Sequence, residues 1–194
     1  EGWYALGPKL FDEHLERMKE VAVEVLVARD PKFELPPDKR LLASIHGKVL
    51  AHSYMLRRGL AESLAFIGSH PEVLTSTSFR RAESVVTLAV HEILSDADWV
   101  LWASLNDLLP LLAEAAPGEF LDAVETALGC DPCPFDLILA QEEPGIFGGN
   151  YMHGLLWALE TLAWDPDYLL RVVIVLGELA AKDWRGNWSN QPAN

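Results

Sequence analysis

The chain has 194 residues, half of them hydrophobic, and its mean hydropathy is slightly positive at +0.11. This length and composition suit one folded domain with a sizeable core and exclude an intrinsically disordered chain. The net charge is −14, and residues 101–194 carry 14 acidic but only 3 basic side chains, so neither a nucleic acid nor an anionic membrane surface is expected as a partner.

Other broad features concern location and chain ends. No apolar run approaches the ~20 residues that a bilayer-spanning helix needs, and the start, Glu1-Gly2-Trp3, lacks a signal-peptide pattern. Two cysteines predict no disulfide framework and favour a reducing cytoplasm. The chain begins without Met and ends in a polar stretch, 186–194. We therefore expect a segment excised from a longer protein, although a removed tag or propeptide would look the same.

Helical patterns occupy the first half of the chain. Residues 11–28 predict an amphipathic helix, because apolar residues recur on one side of it: Leu15, Met18, Val21 or Ala22, Val25 and Leu26. Pro36 and Pro37 mark an extended connector. A helix is expected to follow from Asp38, and another to run from Phe79 to Leu94. No segment shows a convincing period of two, so no sheet is predicted.

An internal repeat is the strongest signal in the sequence. Residues 59–74 align without a gap with residues 154–169 at an offset of 95, which brings Gly59 onto Gly154 and Pro71 onto Pro166. A third copy lies between them: 119–121 follows 72–74 by 47 residues and precedes 167–169 by 48. A period in the forties is typical of HEAT and armadillo repeats.

Each copy is predicted to form a helix, a tight corner and a second helix. In the last copy Asp165 is suited to cap the second helix, Pro166 to its first turn and Asp167 to its positive end. Pro71 is expected to serve similarly in the first copy, and Gly118 replaces the proline in the middle copy. Leu169, Val172, Val173 and Leu176 are expected to form one apolar face.

These features predict an all-α fold, a two-layer array of antiparallel helical pairs of the α-solenoid type. One domain is expected over 1–194, with less regular helices in 1–58, repeat pairs in 59–185 and a polar tail in 186–194. A single helical pair buries only one face, so neighbouring pairs must stack on it.

The three aligned corners make the chain resemble HEAT-like helical repeat proteins over roughly 59–182. The region 157–188 also looks like helical segments of large bacterial multidomain proteins, including signalling NTPases, although no part of an NTPase is present. The resemblance implies a non-catalytic protein-interaction or scaffolding module, and its partner would be another protein or a neighbouring domain of the same chain. The acidic second half favours a basic partner.

Six residues are candidates for partner binding. The stretch 129–154 breaks the repeat with three prolines and several glycines, and long loops often carry function. Within or beside it, Phe147 and Tyr151 are either tucked into the core or offered to a partner. Exposed charge and terminal aromatic residues supply the other candidates: Glu142, Glu143, Trp184 and Trp188.

No catalytic residue, metal ligand or cofactor site is predicted. Cys130 and Cys133 form a C-x-x-C pair, but structural zinc needs four ligands and only His153 is near in sequence. Two alternatives stay open. One is a small α-helical enzyme or metal-binding domain that uses these three residues, and the other is an acidic mimic of nucleic acid.

Overall fold

The computed structural model describes residues 2–140, except the side chain of Ala140, and residues 151–182. Throughout these ranges the regular elements are helical and no strand occurs, which confirms the predicted all-α class. Short 3-10 turns lie between several of the α-helices. The α-helices are α1 (Gly2–Leu6), α2 (Asp12–Leu26), α3 (Tyr54–Ser69), α4 (Arg81–Leu94), α5 (Trp99–Ser104), α6 (Leu109–Ala115), α7 (Pro117–Leu128), α8 (Pro134–Ala140), α9 (His153–Ala163) and α10 (Pro166–Ala181).

The longer helices contact one another in two successions. In one, α3 packs on α6 and α6 on α9; in the other, α2 packs on α4, α4 on α7 and α7 on α10. The two successions are joined because α3 also contacts α4, α6 contacts α7 and α9 contacts α10. Each predicted repeat copy thus contributes one helix to each succession.

The corners differ between the copies. Asp165 caps α10 as expected, since its side chain accepts a hydrogen bond of 2.9 Å from the Asp167 backbone N–H. In the middle copy the first helical residue is Pro117, so the proline is present one position before Gly118. In the first copy the expectation for Pro71 was wrong: it starts a 3-10 turn, Pro71–Val73, and α4 begins only at Arg81.

A second correction concerns the helix expected from Asp38. The structure has a 3-10 turn over Pro37–Leu42, and α3 starts at Tyr54, where Ser53 caps it by accepting a bond of 3.2 Å from Leu56 N–H. Residues 37–52 leave Leu41, Ile45 and Val49 exposed. Without a buried apolar stripe an α-helix lacks its main source of stability, which accounts for the difference.

The core runs along both successions and is centred on aromatic and aliphatic side chains. Trp102 is buried with its ring edge-to-face against Phe120 and Phe135, at centroid distances of 6.3 and 5.2 Å. Among the described glycines, backbones approach most closely at Gly68 and Gly154. A Cβ at Gly68 would lie 2.0 Å from the Ala115 carbonyl oxygen, and one at Gly154 would lie 1.7 Å from that of Asn106. These contacts join α3 to α6 and α9 to the turn before α6.

We expect Asp165→Ala to lower the free energy of unfolding by about 1 kcal/mol, because the first turn of α10 loses its capping acceptor. Urea denaturation measures the change. Asp165→Asn keeps a side-chain oxygen that can accept the same bond and should stay close to the parent chain. Equal losses in both variants would show that the cap contributes nothing.

Candidate functional site

The helical pair α9–α10 exposes several large apolar side chains to solvent. Six of them are at least two-fifths exposed, and Trp164 reaches 84%. Four of the six lie within two turns of α10, and large exposed apolar patches mark interaction sites in soluble proteins. The six residues are Trp157, Trp164, Leu169, Leu170, Val173 and Ile174.

The alignment of the repeat copies, which we call the repeat register, pairs exposed residues of α10 with residues of α7. At the offset of 48, Leu169 corresponds to Leu121 of α7, and Val172 to Val124. Val124 and Val172 are both fully buried, which supports the register, but Leu121 is 0% exposed and Leu169 45%. The position that is covered in the middle pair is thus open in the last pair.

The side of α7 that meets α10 is polar at its rim. Arg171 of α10 binds two acids of α7, with Nη2 2.5 Å from Asp122 Oδ1 and Nε 2.8 Å from Glu125 Oε1. The bond to Glu125 raises the pKa of Arg171, burial opposes that increase, and the bond to Asp122 adds to it. Asp122 and Glu125 therefore lie on the side of α7 that contacts the next helix of the succession, α10.

The corresponding residues of α10 are apolar. At the same offset Asp122 and Glu125 correspond to Leu170 and Val173, which are 71% and 56% exposed. Leu169, Val173 and the half-buried Leu176 follow one another at i, i+4 and i+7, so they share a stripe of the helix. We call Leu169, Leu170, Val173 and Leu176 the terminal face.

Acidic side chains outnumber basic ones on the helical pair α9–α10. In residues 153–182 the bases are Arg171 and Lys182, and both are bound to acids of other helices, Lys182 through an Nζ–Oδ2 distance of 3.1 Å to Asp136 of α8. The acids of this pair are all exposed, and no ion pair joins them to a base within the described residues. They are Glu160, Asp165, Asp167 and Glu178.

A separate polar cleft of about 260 Å³ lies between the start of α3, the end of α5 and the start of α9. Arg57 forms its buried wall and donates to backbone carbonyls of Ala28 (3.0 Å), Leu26 (3.3 Å) and Ser104 (3.4 Å). Burial lowers the pKa of Arg57, and the charge of Asp30 opposes this decrease. Arg57 therefore ties together the C-terminal ends of α2 and α5.

The other side chains of the cleft are largely engaged with one another. Asn106 starts the 3-10 turn before α6 and contacts α9, with its side-chain nitrogen 2.9 Å from Nε2 of His153 and its Oδ1 2.9 Å from the Gly154 N–H. Nε2 of His153 is 3.2 Å from Oδ1 of Asp107. Ser104 donates to the Val100 carbonyl and accepts from the Asp30 N–H. These hydrogen bonds join the helices and turns that line the cleft.

Of the six residues predicted to bind a partner, Tyr151 lies within the described ranges. It is half buried, and its ring packs edge-to-face on Phe33 with centroids 4.9 Å apart, while Nζ of Lys32 lies 5.3 Å from its centre. This is the tucked arrangement that the sequence left open. The other five lie outside the described residues: Glu142, Glu143, Phe147, Trp184 and Trp188.

The cysteine pair and His153 belong to different surroundings. Cys130 is exposed and its thiol donates to the Thr126 carbonyl at 3.3 Å, whereas Cys133 is buried, and both are free thiols. His153 contacts Asn106 and Asp107 instead. Across residues 2–140 and 151–182 no group of three or more His, Cys, Asp or Glu side chains is placed to hold a metal ion.

Comparison with known proteins finds no matching family, no matching characterised protein and no matching solved structure. The helices of the described ranges are each too short or too polar to cross a membrane.

Sequence reasoning missed the terminal face because it assigned Leu169, Val172, Val173 and Leu176 to one buried stripe. In the structure Val172 is buried and Leu176 half buried, but Leu169 and Val173 are exposed. A signal was present: residues 169–176 are apolar at every position except Arg171. A helix that is apolar nearly all round needs cover on more than one side. Trp157 and Trp164 were not identified from the sequence either, although both are exposed.

Proposed function

We propose that this chain is a non-catalytic protein-interaction or scaffolding module built from HEAT-like helical pairs. The two successions of helix contacts, α3–α6–α9 and α2–α4–α7–α10, support a two-layer α-solenoid, because in such arrays each pair contacts mainly its neighbours. The repeat at 47 and 48 residues supports the same arrangement.

The observation that carries the proposal is the exposure of the terminal face. End repeats of a solenoid normally turn a polar side outward, but here Leu169, Leu170 and Val173 are exposed at positions whose equivalents in α7 meet the next helix. A partner protein, or a neighbouring domain of the same chain, would cover them. The acidic second half favours a basic surface on that partner.

The setting that we propose is the cytoplasm, within a larger bacterial multidomain protein of the signalling-NTPase kind. The bacterial setting rests on the resemblance of residues 157–188 to helical segments of such proteins. The cytoplasmic location rests on the small number of cysteines. The module would act there as a sensor or scaffold beside a catalytic domain.

A pull-down with the full chain as bait, at low and moderate salt, tests the proposal. We expect a specific protein partner whose retention decreases as salt increases, because screening weakens attraction between an acidic and a basic surface. Retention should also decrease when Glu142 and Glu143 are changed to lysine. Recovery of no specific protein at either salt would contradict an external scaffolding role.

A further inference from the structure

We infer that the terminal face binds an amphipathic helix with basic residues beside its apolar row. This inference rests on the proposed function and specifies both its surface and its class of partner. Three observations support it: the repeat register, the apolar character of the exposed positions and the excess of acidic side chains on α9–α10.

The register indicates that the occupant is a helix. In the chain itself α10 covers α7, and Arg171 reaches Asp122, Glu125 and the Gly118 carbonyl from the covering helix. The terminal face presents the equivalent side of α10, one repeat further along. A helix that lies on α10 as α10 lies on α7 would continue an interface that the chain already uses.

The side chains of the face determine what that helix must present. Leu170 and Val173 stand where α7 has Asp122 and Glu125, so an arginine placed like Arg171 would meet hydrocarbon instead of carboxylates. The covering helix therefore needs apolar residues at these contacts, spaced at i, i+3 or i+4 and i+7 like the anchors of helices that bind in grooves. Burial of these exposed side chains removes apolar surface from water and therefore favours binding.

Charge determines which residues should flank the apolar row of the bound helix. Glu160, Asp165, Asp167 and Glu178 are exposed, while the two bases of the α9–α10 pair are bound to Asp122, Glu125 and Asp136. Junctions between neighbouring helices in this succession already join a base to an acid, as Lys19 of α2 does with Glu92 of α4 at 2.6 Å. A second copy of the chain fits poorly, because it would bring the same acids and a net charge of −14.

Two synthetic peptides of equal length test the inference against the full chain. Both carry the same row of leucines at helical spacing; one has lysine at the remaining positions and the other glutamate. Binding is followed by fluorescence anisotropy of the labelled peptide. We expect the lysine peptide to bind in a salt-sensitive way and the glutamate peptide not to bind.

A matched pair of double variants locates the binding surface. Leu170→Asn with Val173→Asn removes apolar contacts from the terminal face, and we expect the lysine peptide to bind at least about tenfold more weakly. Leu41→Asn with Ile45→Asn changes two aliphatic side chains of similar exposure, 73% and 76%, outside α9–α10, and affinity should stay within about twofold. Circular dichroism checks that both variants remain helical.

Several results would overturn the inference. One is an equal loss of affinity in both double variants, or a loss only in the Leu41 and Ile45 variant. Failure of the full chain to bind the lysine peptide would overturn it too, as expected if the face is already covered. A dimer that dissociates in the Leu170 and Val173 variant, seen by sedimentation equilibrium, would assign the face to a second copy instead.

The pull-down separates this inference from the proposed function. If the Leu170 and Val173 variant still retrieves the same partner in the same amount, the chain is an interaction module but its partner binds elsewhere. If the variant loses the partner that the parent chain retrieves, function and surface are both supported.

Discussion

Gly154→Ala should lower the free energy of unfolding by about 3 kcal/mol, at the upper end of what overpacking normally costs. The new Cβ would lie 1.7 Å from the Asn106 carbonyl oxygen and 2.5 Å from its carbonyl carbon. Both are backbone atoms, so no side-chain rotation relieves the overlap, and α9 must move away from the turn before α6. The same movement weakens the bond of 2.9 Å from Gly154 N–H to Asn106 Oδ1.

Gly59→Ala is the matched control, because the repeat aligns Gly59 with Gly154. A Cβ at Gly59 meets nothing within 4 Å and lies inside α3. Alanine there should raise the free energy of unfolding by about 0.5–1 kcal/mol, since glycine costs that much in a helix interior. Urea denaturation of the two variants should thus give changes of opposite sign. Similar changes would mean that the close approach at Gly154 relaxes at little cost.

The two glycines also illustrate what the sequence could predict about the fold. Their alignment identified a repeat and placed helices correctly over most of α3, α9 and α10, because helical spacing of apolar residues records which side is buried. It did not reveal that one glycine is required by a neighbouring backbone and the other is not. That difference depends on residue 106, which is 48 positions away in the chain.

The corner of the first copy was mispredicted for a similar reason. Pro71 and Pro166 occur in the same sequence context, and proline suits the first turn of an α-helix or of a 3-10 turn equally well. Asp165 provides a capping side chain before Pro166, whereas the residue before Pro71 is His70, whose side chain makes no capping bond. A cap alone does not decide the outcome, because Ala116 makes no capping bond either and α7 still begins at Pro117.

The candidate site was harder to predict than the fold. Periodicity shows that a residue is apolar, but it does not show whether another helix is present to cover it. Leu121 and Leu169 therefore look equivalent in the sequence, although only Leu121 has α10 beside α7 to cover it. Arg57 gave no signal either, because its role depends on carbonyl groups 29, 31 and 47 positions away.

Arg57→Ala should lower the free energy of unfolding by about 3 kcal/mol, since it leaves several buried acceptors without a donor. Leu26 and Ser104 are the last residues of α2 and α5, whose terminal carbonyls have no partner inside their own helices. The guanidinium supplies donors to both and places positive charge at two negative helix ends. Arg57→Lys should recover only part of the loss, because an ammonium cannot reproduce the planar set of donors.

Arg58→Ala is the control, one residue further along α3. Arg58 is about half exposed, and its Nε is 2.7 Å from Oε1 of Glu62 in an i, i+4 pair. Exposed pairs of this kind contribute little to stability because water screens their attraction, so its removal should cost far less than that of Arg57. Urea denaturation of the three variants measures the order Arg57→Ala, Arg57→Lys, Arg58→Ala from largest loss to smallest. If Arg57→Ala and Arg58→Ala prove equal, the buried guanidinium does not hold α2 and α5 together, and packing alone joins α3 to them.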